Sequence, residues 1–181
     1  MSATYDDLLN APENLVAELI DGELYLSRRP PSPHARASSV LLCILAYAFD
    51  DVDAGPGVWW IVREPELHLG GHALVPDTAG WRRAHVAEFP DTSGCEIAPD
   101  WLCEILSGTT ARVDRVKKLP IYANHGVRHV WLLDPVLRTL EVLQLEASRW
   151  IVAGNYGGGD KVRAEPFDAV EIDLAALWLP S

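Results

Sequence analysis

Two hydrophobic rhythms divide this chain. From His34 to Phe49 the apolar positions Val40, Leu41, Ile44, Leu45, Ala48 and Phe49 recur at steps of three and four, which predicts an amphipathic helix lying against a sheet. Trp101 to Leu106 and Val130 to Leu133 are short, nearly continuous apolar runs, the pattern of strands buried on both faces. In Glu18 to Ser27, Asp21-Gly22 separates ELI from ELYL, and that turn pair predicts an N-terminal β-hairpin. Thr4 to Asn10 predicts a short helix with Thr4 as cap. Val58 to Val62 and Pro65 to Leu69 read as one broken strand, and Gly70-Gly71 turns the chain into the segment that ends at Asp77. Arg28 to Pro33 reads as an extended connector, and Asp50 to Gly57 and residues 84–98 as loops. Further strands are expected at Thr139 to Leu145 and from Trp150, with GNYGGGD (Gly154 to Asp160) as a hairpin tip. Val170 to Leu179 predicts a strand and a short helix.

The segment between the two buried runs carries the chemistry. Ser107-Gly108 ends the first run, Thr109 or Thr110 offers a hydroxyl cap, and a helix bent by Pro120 is expected to close at Gly126. Asp114 and Lys118 are four apart, so they share a helix face that Tyr122 extends. Glu104 lies inside the apolar run, where an unpaired carboxylate costs several kcal/mol or more. It must be paired, bound to a metal, or turned toward a cleft. Asp77, after Leu74-Val75-Pro76, can supply a second acid, and Pro76 marks an edge or bulge because it donates no ladder hydrogen bond. Two carboxylates 4 Å apart repel by roughly 4 kcal/mol at an effective dielectric of about 20, which invites a divalent cation or a shared proton. A hard oxygen site with few protein ligands suits magnesium.

Composition narrows the setting. A chain of 181 residues, 49% of them hydrophobic, fits a single domain over residues 1–181. No apolar run is long enough to span a bilayer and the start lacks the pattern of a signal peptide, so a cytoplasmic protein without membrane contact is expected. Cys43, Cys95 and Cys103 fit reduced thiols, with Cys43 and Cys103 in the core. His68 and His72 are four apart but sit in a strand or turn segment, a weak zinc signal. The net charge of -11 disfavours a polyanion partner. Against that, Arg28, Arg29, Arg36, Arg63, Arg82, Arg83, Arg112, Arg115, Lys117 and Lys118 all fall before the acidic tail that follows Pro135. Such a distribution permits a basic rim as well as a merely solvated surface.

The order Asp77, Glu104, Lys118 resembles the active-site set of the PD-(D/E)XK nuclease superfamily. More closely, ELIDGELY (Glu18 to Tyr25), PPSPHAR (Pro30 to Arg36), VPD (Val75 to Asp77), CEILSGTT (Cys103 to Thr110), the spacing Asp114, Lys118, Tyr122 and the segment Gly126 to Pro135 resemble Uma2, a restriction-endonuclease-like family of bacterial proteins. The resemblance implies an α/β (α+β) fold, a restriction-endonuclease-like mixed β-sheet flanked by helices. It also implies Asp77 and Glu104 as ligands of Mg2+ or Mn2+, with Lys118 assisting the attacking water. The superfamily places its lysine two residues after the second acid, where this chain has Leu106. Lys118 from the helix is then the candidate amine and Lys117 its rival. Glu18 can approach the metal or belong only to the hairpin; His34 can serve near substrate or cap its helix; Asp114 can support Lys118 or simply pair with it.

Two functions follow. One is a metal-dependent phosphodiesterase acting on DNA, with a backbone carbonyl near Ile105 completing the metal shell. The other is a non-catalytic binding or homo-oligomeric assembly module on the same scaffold, a homodimer with apolar surface around Trp131 or Trp178 as its contact. Hydrolysis of another phosphodiester or of a nucleotide would use the same residues.

Overall fold

The computed structural model describes residues 2–28, 31–50 and 58–180. The chain opens with α1 (Tyr5–Leu9), where Thr4 and Asp7 form the reciprocal capping box, and the hairpin β1 (Leu15–Ile20) and β2 (Glu23–Arg28). Asp21 and Gly22 both have positive φ, as the two-residue turn requires. Helix α2 (Ser32–Leu45) begins two residues before His34 and widens into a π turn over Ala46–Asp50. Arg29 and Pro30 of the expected connector, and the loop expected after Asp50, lie outside the described residues.

Next come β3 (Trp59–Arg63), β4 (Leu67–Leu69), β5 (His72–Leu74), β6 (Thr78–Arg82) and β7 (Trp101–Ile105). A crossover holding α3 (Ala111–Val113), a π turn (Asp114–Lys118) and α4 (Leu119–Asn124) leads to β8 (His129–Asp134). The chain ends in β9 (Thr139–Glu146), β10 (Arg149–Gly157), β11 (Lys161–Val162), β12 (Ile172–Asp173) and a 3-10 turn over Leu174–Leu177.

A six-stranded sheet in the order β10-β9-β8-β7-β6-β3 forms the centre, mixed because β7 and β8 run parallel and the other pairs antiparallel. A second sheet, β2-β1-β5-β4, packs beside it. β3 and β4 therefore belong to different sheets, which corrects the reading of one broken strand: β3 pairs with β6, β4 with β5. Pro76 lies where the chain leaves one sheet for the other, so its missing N–H costs no ladder bond.

Each face of the central sheet buries its own core. Trp101, Cys103 and Ile105 face one way with Trp59, Trp131, Phe167, α2 and the C-terminal segment. Leu102 faces the other way with Trp81, Val130, Leu132 and Tyr122. The alternation puts Glu104 on the Leu102 face, under the crossover helices.

Three further expectations are corrected. Cys43 is exposed, because the positions that face the sheet from α2 are His34, Ala37, Ser38, Leu41 and Leu45. Trp131 is fully buried and Trp178 is 6% exposed, so neither supplies an apolar dimer surface. Gly154 to Gly157 continue β10 against β9, and only Gly158 and Gly159 make the turn. No helix among the described residues is long and apolar enough to cross a membrane.

Candidate functional site

Strand register brings the two acids together. β6 and β7 pair antiparallel with Thr78 opposite Cys103, so the next position along sets Asp77 opposite Glu104. The Asp77 Oδ2 accepts a 2.7 Å hydrogen bond from the Ile105 backbone N–H, which ties the loop end to the strand that carries Glu104. On the opposite edge of β6 the Glu64 N–H donates to the Asp77 backbone carbonyl at 3.1 Å. Asp77 is thus pinned from both neighbouring strands.

The crossover supplies the amine. Proline at 120 cannot donate to the carbonyl four residues back and its ring crowds that carbonyl, so the regular α pattern fails just before it. The Leu119 N–H instead reaches five residues back to the Asp114 carbonyl, the bond of a π turn. Ser107 Oγ accepts from the Thr110 N–H at 3.2 Å, so the hydroxyl that caps this segment is Ser107; Thr110 makes no side-chain cap of its own. At the far end Gly126 takes the left-handed conformation, and the Val127 N–H returns to the Tyr122 carbonyl.

Lys118 is 2% exposed, and its Nζ lies 2.9 Å from Glu104 Oε1, 2.9 Å from Glu18 Oε1 and 3.4 Å from Asp114 Oδ1. Tyr122 OH donates to Glu104 Oε1 at 2.6 Å. Glu18 Oε1 also accepts from the Val75 N–H at 2.8 Å, so the hairpin is anchored to the segment leading to Asp77. His34 Nε2 lies 3.1 Å from Asp77 Oδ1, while its buried Nδ1 has no partner among the described residues. Glu18, His34, Asp77, Glu104, Asp114 and Lys118 all line one cleft of about 550 Å³. Lys117 goes elsewhere: its partly exposed amine meets Asp21 Oδ2 at 3.1 Å. Glu104 is thus paired, to lysine and to tyrosine.

The electrostatics follow from burial. Loss of water pushes the Glu104 carboxyl well above the usual carboxylate range, against the pull of Lys118 and with repulsion from Asp114, Asp77 and Glu18 behind it. Asp114 is raised by the same loss of water, again opposed by Lys118. Burial alone would lower Lys118, but Glu104 and Glu18 outweigh it and hold the amine well above its ordinary value. The surrounding acids thus favour the protonated amine of Lys118.

The donor set suits a hard cation. Two carboxylates from opposed register positions share the cleft, and magnesium needs few protein ligands because it keeps several waters. Among the described residues no group of three or more His, Cys, Asp or Glu forms a protein-only cage, so a cation held here would keep solvent or substrate ligands. His68 and His72 do not converge: His68 Nε2 meets Glu66 at 2.6 Å, and His72 Nδ1 accepts from the Asp21 N–H at 3.2 Å.

Sequence reasoning passed over Glu64, a cleft-lining acid with a left-handed backbone, φ 46. No local signal in REPE marks that conformation. It also passed over Arg28 and Ser27 as lining residues, since a strand end reveals nothing about the cleft it borders.

A family model described as "Uma2: Putative restriction endonuclease" matches residues 3–175. A solved structure from Anabaena variabilis, described as "a putative nuclease belonging to DUF820", is 21% identical, aligns over 96% of each chain and superposes with a TM-score of 0.77. That likeness shows a shared fold. No curated protein matches the chain.

Proposed function

Because the chain belongs to the Uma2 family of restriction-endonuclease type, we propose that it is a metal-dependent nuclease of PD-(D/E)XK chemistry that hydrolyses phosphodiester bonds in DNA. The observation that carries this reading is the convergence of the Lys118 amine, 2.9 Å from Glu104, with Asp77 in one cleft. Asp77 and Glu104 would hold Mg2+ or Mn2+, which when bound supplies Lewis-acid polarisation of a phosphoryl oxygen. Lys118 stays protonated and offers hydrogen bonds to negative charge that develops on the phosphate. Its three N–H donors all face carboxylates in this state, so contact with substrate requires exchange of one, the longest being that to Asp114. Tyr122 fixes the orientation of Glu104, and His34 that of Asp77. The protein would act in the cytoplasm, as a homodimer.

Incubation of purified protein with plasmid and Mg2+ or Mn2+ tests the proposal. Cleavage should fall by about 100-fold or more in Asp77→Asn and in Glu104→Gln. Undiminished cutting by both variants would exclude this cleft. The closed pairing of Lys118 with three acids favours one other reading, a non-catalytic assembly module. That reading expects a stable oligomer and no heat on titration with Mn2+.

A further inference from the structure

We propose that two copies of this chain join edge to edge along β10, antiparallel and about a two-fold axis, so that their central sheets continue as one sheet with six strands from each copy. This goes beyond the nuclease reading and gives its homodimer a surface. A sheet edge presents a row of unpaired N–H and C=O groups, and proteins that stay monomeric cover or charge such edges. The two larger sheets have four edges, β10 and β3 in one, β2 and β4 in the other. Three are blunted. At β3 the Ile61 N–H donates to Asp50 Oδ2 at 3.1 Å and the Trp59 carbonyl accepts from Arg83 Nε at 3.1 Å, so charged side chains take the ladder positions. At β4 the His68 N–H donates to the Cys95 carbonyl at 2.9 Å, and the Cys95 N–H to that of Glu66 at 2.8 Å. β2 is six residues long and carries Glu23 and Arg28.

β10 is left open. It is nine residues long, and among the described residues no backbone group outside the β9 ladder bonds to residues 149–156. Ile151 and Val152 stand 45% and 52% exposed. From Trp150 to Gly159 the sequence has no charged residue and no proline, and this run is bounded by Arg149 and Asp160, which are opposite in sign. Antiparallel pairing of two copies lays the arginine end of one strand along the aspartate end of the other, whereas a parallel pair sets like charges side by side. Such self-complementarity points to a second copy as the partner. The bulge between Val152 and Gly154 adds twist, which works against pairing with a flat strand; a two-fold partner carries the same bulge and coils in the same sense. Strand direction then fixes where the clefts point. β10 runs parallel to β7, because β8 is parallel to β7 and two antiparallel steps follow. The cleft lies at the C-terminal end of β7, beside Glu104 and Ile105, so the two clefts open at opposite rims of the joint sheet and work independently.

Light scattering on the purified chain at micromolar concentration tests the junction. Wild type should show twice the chain mass, and the double variant Ile151→Lys/Val152→Lys, which places on this edge the charge that monomeric proteins use, should show the single mass with an unchanged Tm. A monomeric wild type, or a double variant that stays dimeric, would overturn the proposal. Amide hydrogen exchange at residues 149–156 should be about tenfold or more slower in wild type than in the variant, and equal rates would place the contact elsewhere. Arg149→Glu sets like charges together and should raise the dimer Kd about fivefold at low salt; an unchanged Kd contradicts the antiparallel arrangement. Plasmid cleavage per protomer by the double variant should stay within about twofold of wild type, and its loss would contradict clefts on opposite rims. If dimeric wild type cuts nothing in Mn2+, the nuclease reading fails while the β10 junction stands, since the mass does not depend on activity.

Discussion

Lys118 concentrates the energetics of the site in a single side chain. An ammonium 2% exposed is tolerable only because Glu104, Glu18 and Asp114 surround it, and those acids are tolerable only because of it. Lys118→Met should therefore cost about 3–5 kcal/mol in urea denaturation with EDTA present, since it strands several buried carboxylates. A loss below about 1 kcal/mol would mean that the acids are hydrated in the folded state. Tyr122→Phe removes one hydrogen bond to a buried carboxylate and should cost about 1.5–3 kcal/mol. Lys117→Ala, at an exposed pair, should leave stability and activity where they were. His129 provides a pH test away from the cleft: burial holds its pKa below 6.5, with Glu165 opposing and Arg82 adding to the shift. A depressed folded value means that the stabilising contribution is present above the ordinary pKa and is lost as pH falls through the folded one. The Tm of His129→Gln should accordingly drop less than that of wild type between pH 7.5 and pH 5, and parallel profiles would contradict this.

At the level of elements, the π turn and one tight strand crossing decide whether the side chains meet. Pro120→Ala restores a backbone donor and removes the ring clash, so the helix should tighten toward a regular α repeat and rotate Lys118 away from its partners. The expected outcome is an activity loss on plasmid of about tenfold or more together with a lower Tm, because the catalytic set is displaced and the buried acids lose their cation. Equal activity would show that the π turn is incidental. Gly80→Ala would set a Cβ 3.1 Å from Ile61 Cδ1, 3.2 Å from Trp59 Cε3 and 3.3 Å from Trp101 Cε3. Overpacking between fixed indoles should cost about 1–3 kcal/mol by denaturant titration. These two elements also mark where the sequence could be read and where it could not. The hairpin at Asp21-Gly22 and the helix end at Gly126 are written in turn chemistry, which is local. The division of β3 and β4 between two sheets is not local, because strand membership depends on the pairing of Arg63 with Thr78 and of Leu67 with Leu74. Gly154 to Gly157 likewise became strand because β9 supplies a partner, against the intrinsic preference of glycine.

For the whole molecule, the fold and its site were legible to different depths. Glu104 announced itself as an acid inside an apolar run, and the four-residue spacing of Asp114, Lys118 and Tyr122 announced a shared helix face. The meeting of that face with Asp77 and Glu18 was legible only through resemblance, since it needs the Thr78–Cys103 register and the junction of two sheets. Choosing Lys118 over Lys117 also needed the tertiary structure: adjacent lysines on a helix point about 100° apart, and packing decides which one turns inward. The net charge of -11 acts at this scale too. It sets a cation-attracting field around an acid-lined cleft, so Mn2+ should raise the Tm of wild type in low salt, by more than it raises that of Glu104→Gln. The most direct test is an anomalous difference map from crystals soaked in Mn2+. A peak is expected at the carboxylates of Asp77 and Glu104, on the cleft shared with Lys118. An occupied site elsewhere, with no density between those two acids, would contradict the assignment.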